Sequence, residues 1–357
     1  MAAATTQQVI VRPAQITKRW LAASLRAAGA IHDAEVVSVA VAHWRAKPLS
    51  DLYHIEATYD GPVANDVPRR FVLKLSRAHD VSSVANNRRW KEYEFYSRVA
   101  PTMADPPVPR AFAAAYDPRQ RCSHLLLEDL GVSHGAPSSP FPPSRDQLRG
   151  AVECLAWIHA GWWDHPELHG VAPARDEAWI EGRAAAVRRR LARFMVEHGD
   201  HVPAPMRAPL DDAAQSWPAI LRRTTAFPLT VVHGDAHPWN FLSPLAAGYR
   251  TYLLDWEGWS IEPGPHDLAS LIALHLPASE RRAAHEELID HYASRLRGHG
   301  VTGYSDAACW ADYRWAVTRR VMAPVGLWSQ GTKPRVWWSA LEHITAAYDE
   351  LRCDELM

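Results

Sequence analysis

Two short apolar runs, Leu229 to Val232 and Tyr252 to Leu254, each deliver an aspartate at a strand end, and this pair constrains the chain more than any other feature. The first continues as Val231-Val-His-Gly-Asp-Ala-His-Pro-Trp-Asn-Phe-Leu242, and the second as Tyr252-Leu-Leu-Asp-Trp-Glu257. Gly234 lets the chain turn tightly ahead of Asp235. Asn240 follows Asp235 by five positions on the same loop, and Asp255 closes the next hairpin. A fold that uses this pattern must hold a base, an amide oxygen and a second carboxylate on short loops beyond strands.

Those residue types suit phosphoryl transfer. A γ-phosphoryl group in transit needs positioning and charge neutralisation more than covalent chemistry, so hard oxygen ligands for Mg²⁺ are required, and Asn240 and Asp255 supply them. A hydroxyl nucleophile needs a carboxylate to orient it and take its proton, and Asp235 is placed for that role. His233 reads as a residue that holds the loop by hydrogen bonds. His237, two positions beyond the base, either donates to the γ-phosphate or braces the loop.

His-Gly-Asp-Ala-His-Pro-Trp-Asn followed by Leu-Asp-Trp-Glu resembles the aminoglycoside phosphotransferase and choline kinase superfamily, whose fold is similar to that of protein kinases. The resemblance runs from about Trp20 to the C-terminus. His159-Ala-Gly-Trp-Trp, Glu128-Asp-Leu and the closing Cys353-Asp-Glu-Leu also resemble its ecdysteroid-kinase-like branch. The resemblance implies a two-lobed α+β, protein-kinase-like fold. A small N-terminal antiparallel sheet lobe with a helix (residues 1–127) would bind the nucleotide, and a larger, mainly helical lobe (128–357) would carry catalysis and the acceptor. ATP and Mg²⁺ are the implied cofactors, and the implied partner is a small-molecule hydroxyl acceptor.

The N-terminal third agrees residue by residue. After a loose arm, Trp20, Leu21, Leu25 and Ala28 recur at helical spacing over Thr17 to Ala28, with Gly29 as a stop. Val36 to Val41, Leu52 to Tyr59 and Arg69 to Leu75 are strand-like and read as an antiparallel meander. By analogy the turn from Arg45 to Asp51 covers the ATP phosphates, yet it holds no glycine; Ser50 or Lys47 could contribute a hydroxyl or a charge, or the turn is a solvated tip. Phe71-Val-Leu-Lys-Leu75 sets a lysine inside an apolar strand, which demands a carboxylate or an anion beside it. Over Arg88 to Val99, Glu92 falls on the stripe with Phe95, Tyr96 and Val99, whereas Glu94 sits with Lys91 and Arg98 on the wet face. Lys74 is therefore expected to pair with Glu92, and the family motif places its pair there too.

Ser123 to Gly131 is an apolar strand ending in two acids and a glycine. It resembles the hinge between kinase lobes, at about 127–131, where the Glu128 carbonyl and Leu130 amide would receive the adenine edge and Leu127 would flank the base. Gly131 to Ser144 is a linker or surface loop, and helices follow at Gln147 to Trp163, Glu177 to His198 and Asp211 to Arg223, with Pro203 to Pro209 as an interruption. Beyond the site, Asp267 would anchor a helix start and brace the catalytic loop. Further helices are expected at Glu280 to Leu296, Ser305 to Met322 and Arg335 to Leu351.

A net charge of −1 gives no nucleic-acid or membrane-surface signature, and no apolar run is long enough to span a bilayer. Cys122, Cys154, Cys309 and Cys353 form no CxxC pair or metal spacing, which suits reduced core thiols in a cytoplasmic protein. The sequence thus points to an ATP-dependent small-molecule kinase; an aminoglycoside-type resistance enzyme and a catalytically inactive nucleotide-binding regulator are the alternatives. Glu280 to Met357 carries eleven acids against ten Lys and Arg, together with Trp310, Trp315, Trp328, Trp337 and Trp338, which favours a neutral or singly charged ring-bearing acceptor over a polycation.

Overall fold

The computed structural model describes residues 9–47, 49–64, 67–76, 83–135, 141–168, 175–224 and 226–356, with backbone alone at 83–86. The start of the expected N-terminal arm (1–8), Pro48 in the first hairpin turn and the middle of the linker (136–140) lie outside the described residues. Two compact units emerge: Met1–Gly135 with Pro244–Trp259, and Ala136–Ser243 with Ser260–Met357.

The first unit is built on a five-stranded antiparallel sheet of β1 (Glu35–Ala46), β2 (Ser50–Asp60), β3 (Arg70–Ser76), β4 (Ala111–Asp117) and β5 (Cys122–Glu128), in the order β1-β2-β3-β5-β4. Helix α1 (Lys18–Ala27) starts where the Thr17 side chain accepts from the Trp20 amide at 3.1 Å, and it ends before Gly29 in the left-handed region. Its Leu21 and Leu25 join Ile55, Ala57, Phe71, Leu73 and Leu126 in one core. Because strand side chains alternate, burying Phe71, Leu73 and Leu75 turns Lys74 to the other face of β3. Sequence reasoning missed β4: its run of alanines has weak strand propensity, and the strand forms through pairing with β5 and a tight turn in which Asp117 accepts from the Arg119 and Gln120 amides. The helix expected to reach Val99 regularly is α2 (Ser83–Glu94) followed by a wider π-type turn, Phe95–Val99. There Phe95 lies flat on Trp256, with centroids 3.7 Å apart and planes at 4°, which fastens α2 to the segment carrying Asp255.

The second unit is mainly helical. A two-stranded ribbon of β6 (Thr230–Val232) and β7 (Ser260–Glu262) is accompanied by α3 (Arg145–Gly161), α4 (Glu177–His198), α5 (Ala204–Gln215), α6 (Trp217–Thr224), α7 (Pro265–Leu268), α8 (Ala278–Gly298), α9 (Asp306–Arg320), α10 (Ala323–Ser329) and α11 (Pro334–Glu350). Ser144 caps α3 with a reciprocal bond to Gln147. The prolines before 210 do not interrupt a helix, as the sequence suggested, but begin one. Pro205 sits in the first turn of α5, where its missing N–H costs nothing, whereas Pro209 lies inside the helix and leaves the Pro205 carbonyl without its intrahelical donor. The break falls instead at Ser216, where Pro218 starts α6. Among the described residues no helix is long and apolar enough to cross a membrane.

Candidate active site

In the first unit the site is an ion cluster. Lys74, 8% exposed, donates to Glu92 (2.7 and 2.9 Å to its two oxygens), to Asp255 Oδ1 (2.7 Å) and to Glu257 Oε1 (2.7 Å). Lys47 donates to the other oxygen of Asp255 at 2.8 Å. Three local devices bring these groups together. The alternation of β3 presents Lys74, and the inward stripe of α2 presents Glu92. Asp255 adopts φ 70°, a left-handed conformation that Asp tolerates, while Trp256 is held by Phe95 and by its own Nε1 bond to the Leu253 carbonyl. Glu94 faces Arg98 at 3.9 Å. Lys91, expected beside it on the wet face, instead donates to the Trp259 carbonyl and so also ties α2 to the Asp255 segment.

Arg88 completes the cluster, its Nη1 3.9 Å from Glu257 Oε2, so that three bases face three acids. Burial alone would raise Asp255, but the ammonium groups of Lys74 and Lys47 outweigh it and hold the carboxyl well below the usual range. Burial pushes Glu92 up to about 7, with Glu257 and Asp255 adding to the effect against Lys74. Lys74 is raised well above its ordinary value: burial lowers it, and the three surrounding carboxylates more than compensate. One carboxylate oxygen from each of Glu92, Asp255 and Glu257 lies within 4.8 Å of the others, a set of hard donors that fits a divalent cation. Sequence reasoning missed Glu257 as a member of this set. Its signal was a second acid two residues past Asp255 on the same turn.

The remaining first-unit candidates lie around β2 and β5. Ser50 is buried at the start of β2, opposite Ser76, and its carbonyl accepts from the Lys47 amide at 2.8 Å. Leu127 is half-buried, paired with Val72 and Ala111. The Glu128 amide donates to Arg110, and its side chain, raised by burial, lines a hollow of about 490 Å³ with Tyr96, Val108 and Tyr252. Leu130 is buried, and its carbonyl accepts from the Ser133 and His134 amides.

In the second unit the loop after β6 is hung from behind. Asp267, fully buried, accepts from the His233 amide at 2.6 Å and the Gly234 amide at 2.9 Å. It braces this loop rather than capping its own helix α7, where no side-chain cap forms. Asp267 is in turn held by His159 at 3.3 Å, and His159 by the Tyr292 hydroxyl at 2.7 Å. From α9, Arg320 donates to the Gly234 carbonyl at 2.8 Å. His233 is buried, and its Nδ1 accepts from the Asp235 amide at 3.2 Å, the loop-holding role that its sequence context indicates. Gly234 needs its φ of 80°, which other residues rarely adopt.

The loop backbone is hydrogen-bonded at 233, 234 and 235, whereas the side chain of Asp235 is 60% exposed. Enclosure by the surrounding protein would raise it, but His237, His233, His275 and Arg320 outweigh that and lower it, so it stands ionised. His237 Nε2 lies 3.9 Å from Asp235 Oδ2. Asn240, 7% exposed on the turn Pro238–Asn240, donates its amide to the Asp235 carbonyl at 3.0 Å, which leaves its side-chain oxygen for a ligand. Sequence reasoning did not find Arg320 and His275, because each comes to the loop only through the packing of a helix distant in the chain.

Residues 63–304 match the family model described as the phosphotransferase enzyme family. No curated protein sequence matches the chain. Solved structures share its fold at low identity. The GDP complex of wild-type aminoglycoside 2′-phosphotransferase-IIIa aligns with a TM-score of 0.55 and 13% identity, over 93% of this chain and 99% of that one. A candidate aminoglycoside phosphotransferase from Ralstonia eutropha JMP134 aligns with a TM-score of 0.54 and 14% identity, over 94% and 97%. A Plasmodium vivax ethanolamine kinase aligns with a TM-score of 0.50 and 9% identity, over 87% and 81%.

Removing the ammonium from among three enclosed carboxylates leaves them to repel one another. Lys74→Met is therefore expected to destabilise the protein by about 3 kcal/mol in denaturant unfolding, whereas Glu94→Gln should stay within about 0.5 kcal/mol; similar small losses for both would show that the cluster is not enclosed. A β-carbon at Gly264 would collide with the Tyr292 hydroxyl and with His159, which hold Asp267. Gly264→Ala should accordingly cost about 1 to 3 kcal/mol, and Gly182→Ala, with open space around it, should not lower the melting temperature.

Proposed function

We propose that this chain, which belongs to the phosphotransferase enzyme family, transfers the γ-phosphoryl group of ATP to a hydroxyl of a small ring-bearing molecule. The chain is a phosphotransferase with an alcohol group as acceptor and has the α+β, protein-kinase-like fold. The observation that carries the finer reading is the exposed, ionised Asp235 carboxylate on a loop whose backbone is hydrogen-bonded at 233, 234 and 235.

In this reading Asp235 orients the acceptor hydroxyl and takes its proton as the oxygen–phosphorus bond forms and the bond from phosphorus to the leaving ADP oxygen breaks. Lys74, aligned by Glu92, holds nucleotide phosphate oxygens, and the segment Leu127 to Leu130 receives the adenine. Asn240 and Asp255 would hold Mg²⁺, with Glu257 as a further oxygen donor. The ion, when bound, supplies charge neutralisation for the transferring phosphoryl group. His237 serves the loop and the acceptor side, through its approach to Asp235 and its ring contacts.

The surroundings of Asp235 favour a neutral acceptor. His233, His237, His275 and Arg320 act on it most strongly among the described residues, and Asp267 is committed to the loop amides. Burial keeps His275 neutral, with its pKa near 4, and its Nδ1–H donates to the Ser270 carbonyl. Each ammonium of a polycation desolvated here would need a carboxylate, and Asp267, next to the loop, is already bonded to its amides. Rings are better served. Trp239, beside the base, is 47% exposed, stacks on Phe141 at 4.8 Å and 22°, and contacts His237 at 5.7 Å. Among the C-terminal tryptophans, Trp337 is buried and Trp328 packs on Phe194 and His198, so those two build the helical core.

Asp235→Asn should retain nucleotide binding and lower kcat at least about a hundredfold; near-full turnover would remove Asp235 from the role of base. For the acceptor, kcat/KM measured with aromatic or glycosidic alcohols, using ATP and GTP in parallel, should exceed that for kanamycin-type aminoglycosides. The Trp239→Ala variant should lose that preference. Efficient aminoglycoside turnover that weakens steeply with salt would contradict the neutral-acceptor reading.

A further inference from the structure

The turn between β1 and β2 contains no glycine, although phosphate-covering loops use backbone amides brought close to the ligand by small residues. One of its amides is already engaged, because the Lys47 N–H donates to the Ser50 carbonyl at 2.8 Å and closes the turn. What the turn offers is an ammonium group. Lys47 is 35% exposed along its side chain, and its Nζ lies 2.8 Å from Asp255 Oδ2, while Lys74 Nζ lies 2.7 Å from Oδ1. Both oxygens of the aspartate assigned to the metal are therefore covered by lysines, one rigidly held in a strand and one on a hairpin tip.

The two lysines are not equivalent. Lys74 is enclosed by Glu92 and Glu257 as well as Asp255, so it has partners wherever Asp255 turns. The only ion pair recorded for Lys47 among the described residues is to Asp255. A divalent cation drawn to Asp255 would repel the ammonium at Oδ2, since like charges a few ångströms apart inside a protein interact strongly. Lysine suits such an exchange, being a point charge on a flexible stem with rotatable donors.

We infer that Lys47 is a movable phosphate ligand standing in for the glycine-rich amides of a phosphate loop: it covers Asp255 until metal and nucleotide arrive, and then transfers its ammonium to the triphosphate. This inference rests on the phosphotransferase reading and adds a residue to it. It makes two effects of opposite sign depend on one side chain. Losing the ammonium removes a charge-assisted bond to phosphate but also removes a competitor of the metal at Asp255.

The test uses full-length wild type, Lys47→Met and Asp255→Ala, with calorimetric titration of MgATP, tripolyphosphate, adenosine and Mn²⁺ alone. Lys47→Met should weaken tripolyphosphate and MgATP binding about tenfold to a hundredfold, leave adenosine affinity unchanged, and tighten Mn²⁺ binding roughly threefold or more. Unchanged tripolyphosphate affinity would overturn the phosphate role, and unchanged or weaker Mn²⁺ binding would overturn the exchange at Asp255. An equal loss for adenosine would mean that the variant damages the nucleotide unit as a whole, which also overturns the inference. Asp255→Ala separates this inference from its premise. If it abolishes Mn²⁺ and MgATP binding while Lys47→Met changes nothing, Lys47 alone is wrongly assigned; if it leaves MgATP binding intact, the metal-dependent phosphotransfer reading itself fails.

Discussion

The ammonium group of Lys74 sits among the carboxylates of Glu92, Asp255 and Glu257, and the architecture of the first unit follows from the need to keep it there. A buried charge is costly unless every neighbour is paired and fixed, so the three segments that carry these residues must be locked together. The sheet core places Lys74, the stripe of α2 places Glu92, and the flat stack of Phe95 on Trp256 joins α2 to the Asp255 turn. Lys74, Lys47 and Arg88 face the three acids, so the cluster is balanced in number, and its converging carboxylate oxygens are the basis for proposing a cation there.

The second unit solves a different problem, that of presenting one ionised carboxylate to solvent on an irregular loop. The loop amides at 233 and 234 meet Asp267, the carbonyl of 234 meets Arg320, and the amide of 235 meets His233. Behind them His159 and Tyr292 extend the network into the helical core. A fully satisfied buried network is rigid, and a rigid loop holds a base in one orientation without reorganisation during reaction. The rings of Trp239, Phe141, His237 and His275 then form an aromatic cluster beside Asp235.

Much of this was legible in the sequence because it depends on short-range periodicity. The face of α2 that carries Glu92 follows from i, i+3 and i+4 spacing, and the lysine inside an apolar strand announces its need for a partner. The loop containing Asp235 and Asn240 is continuous in the chain. What sequence order hides is what tertiary packing decides. β4 is alanine-rich and pairs with β5; the widened turn after Glu94 carries Phe95 onto Trp256; α5 starts at a first turn whose unpartnered N–H groups Pro205 can do without. Arg320 and His275 reach Asp235 from distant helices, and Lys47 reaches Asp255 across more than two hundred residues of sequence, so no local pattern could reveal them. The glycine-free turn, which from sequence looked like a weakened phosphate loop, carries a lysine that donates to Asp255.

The central claim is that these residues carry out direct phosphoryl transfer to a small-molecule alcohol, and its most direct test follows the phosphoryl group itself. Incubating the protein with Mg²⁺, ATP labelled in the γ-phosphate and a library of hydroxyl compounds should move the label into an acid-stable phosphate ester of one class of ring-bearing alcohol, with one ADP formed per ester. Metal-dependent nucleotide binding with the label left on ATP across the whole library would contradict the claim and mark the chain as a nucleotide-binding regulator, and label released only as inorganic phosphate would contradict it in favour of hydrolysis.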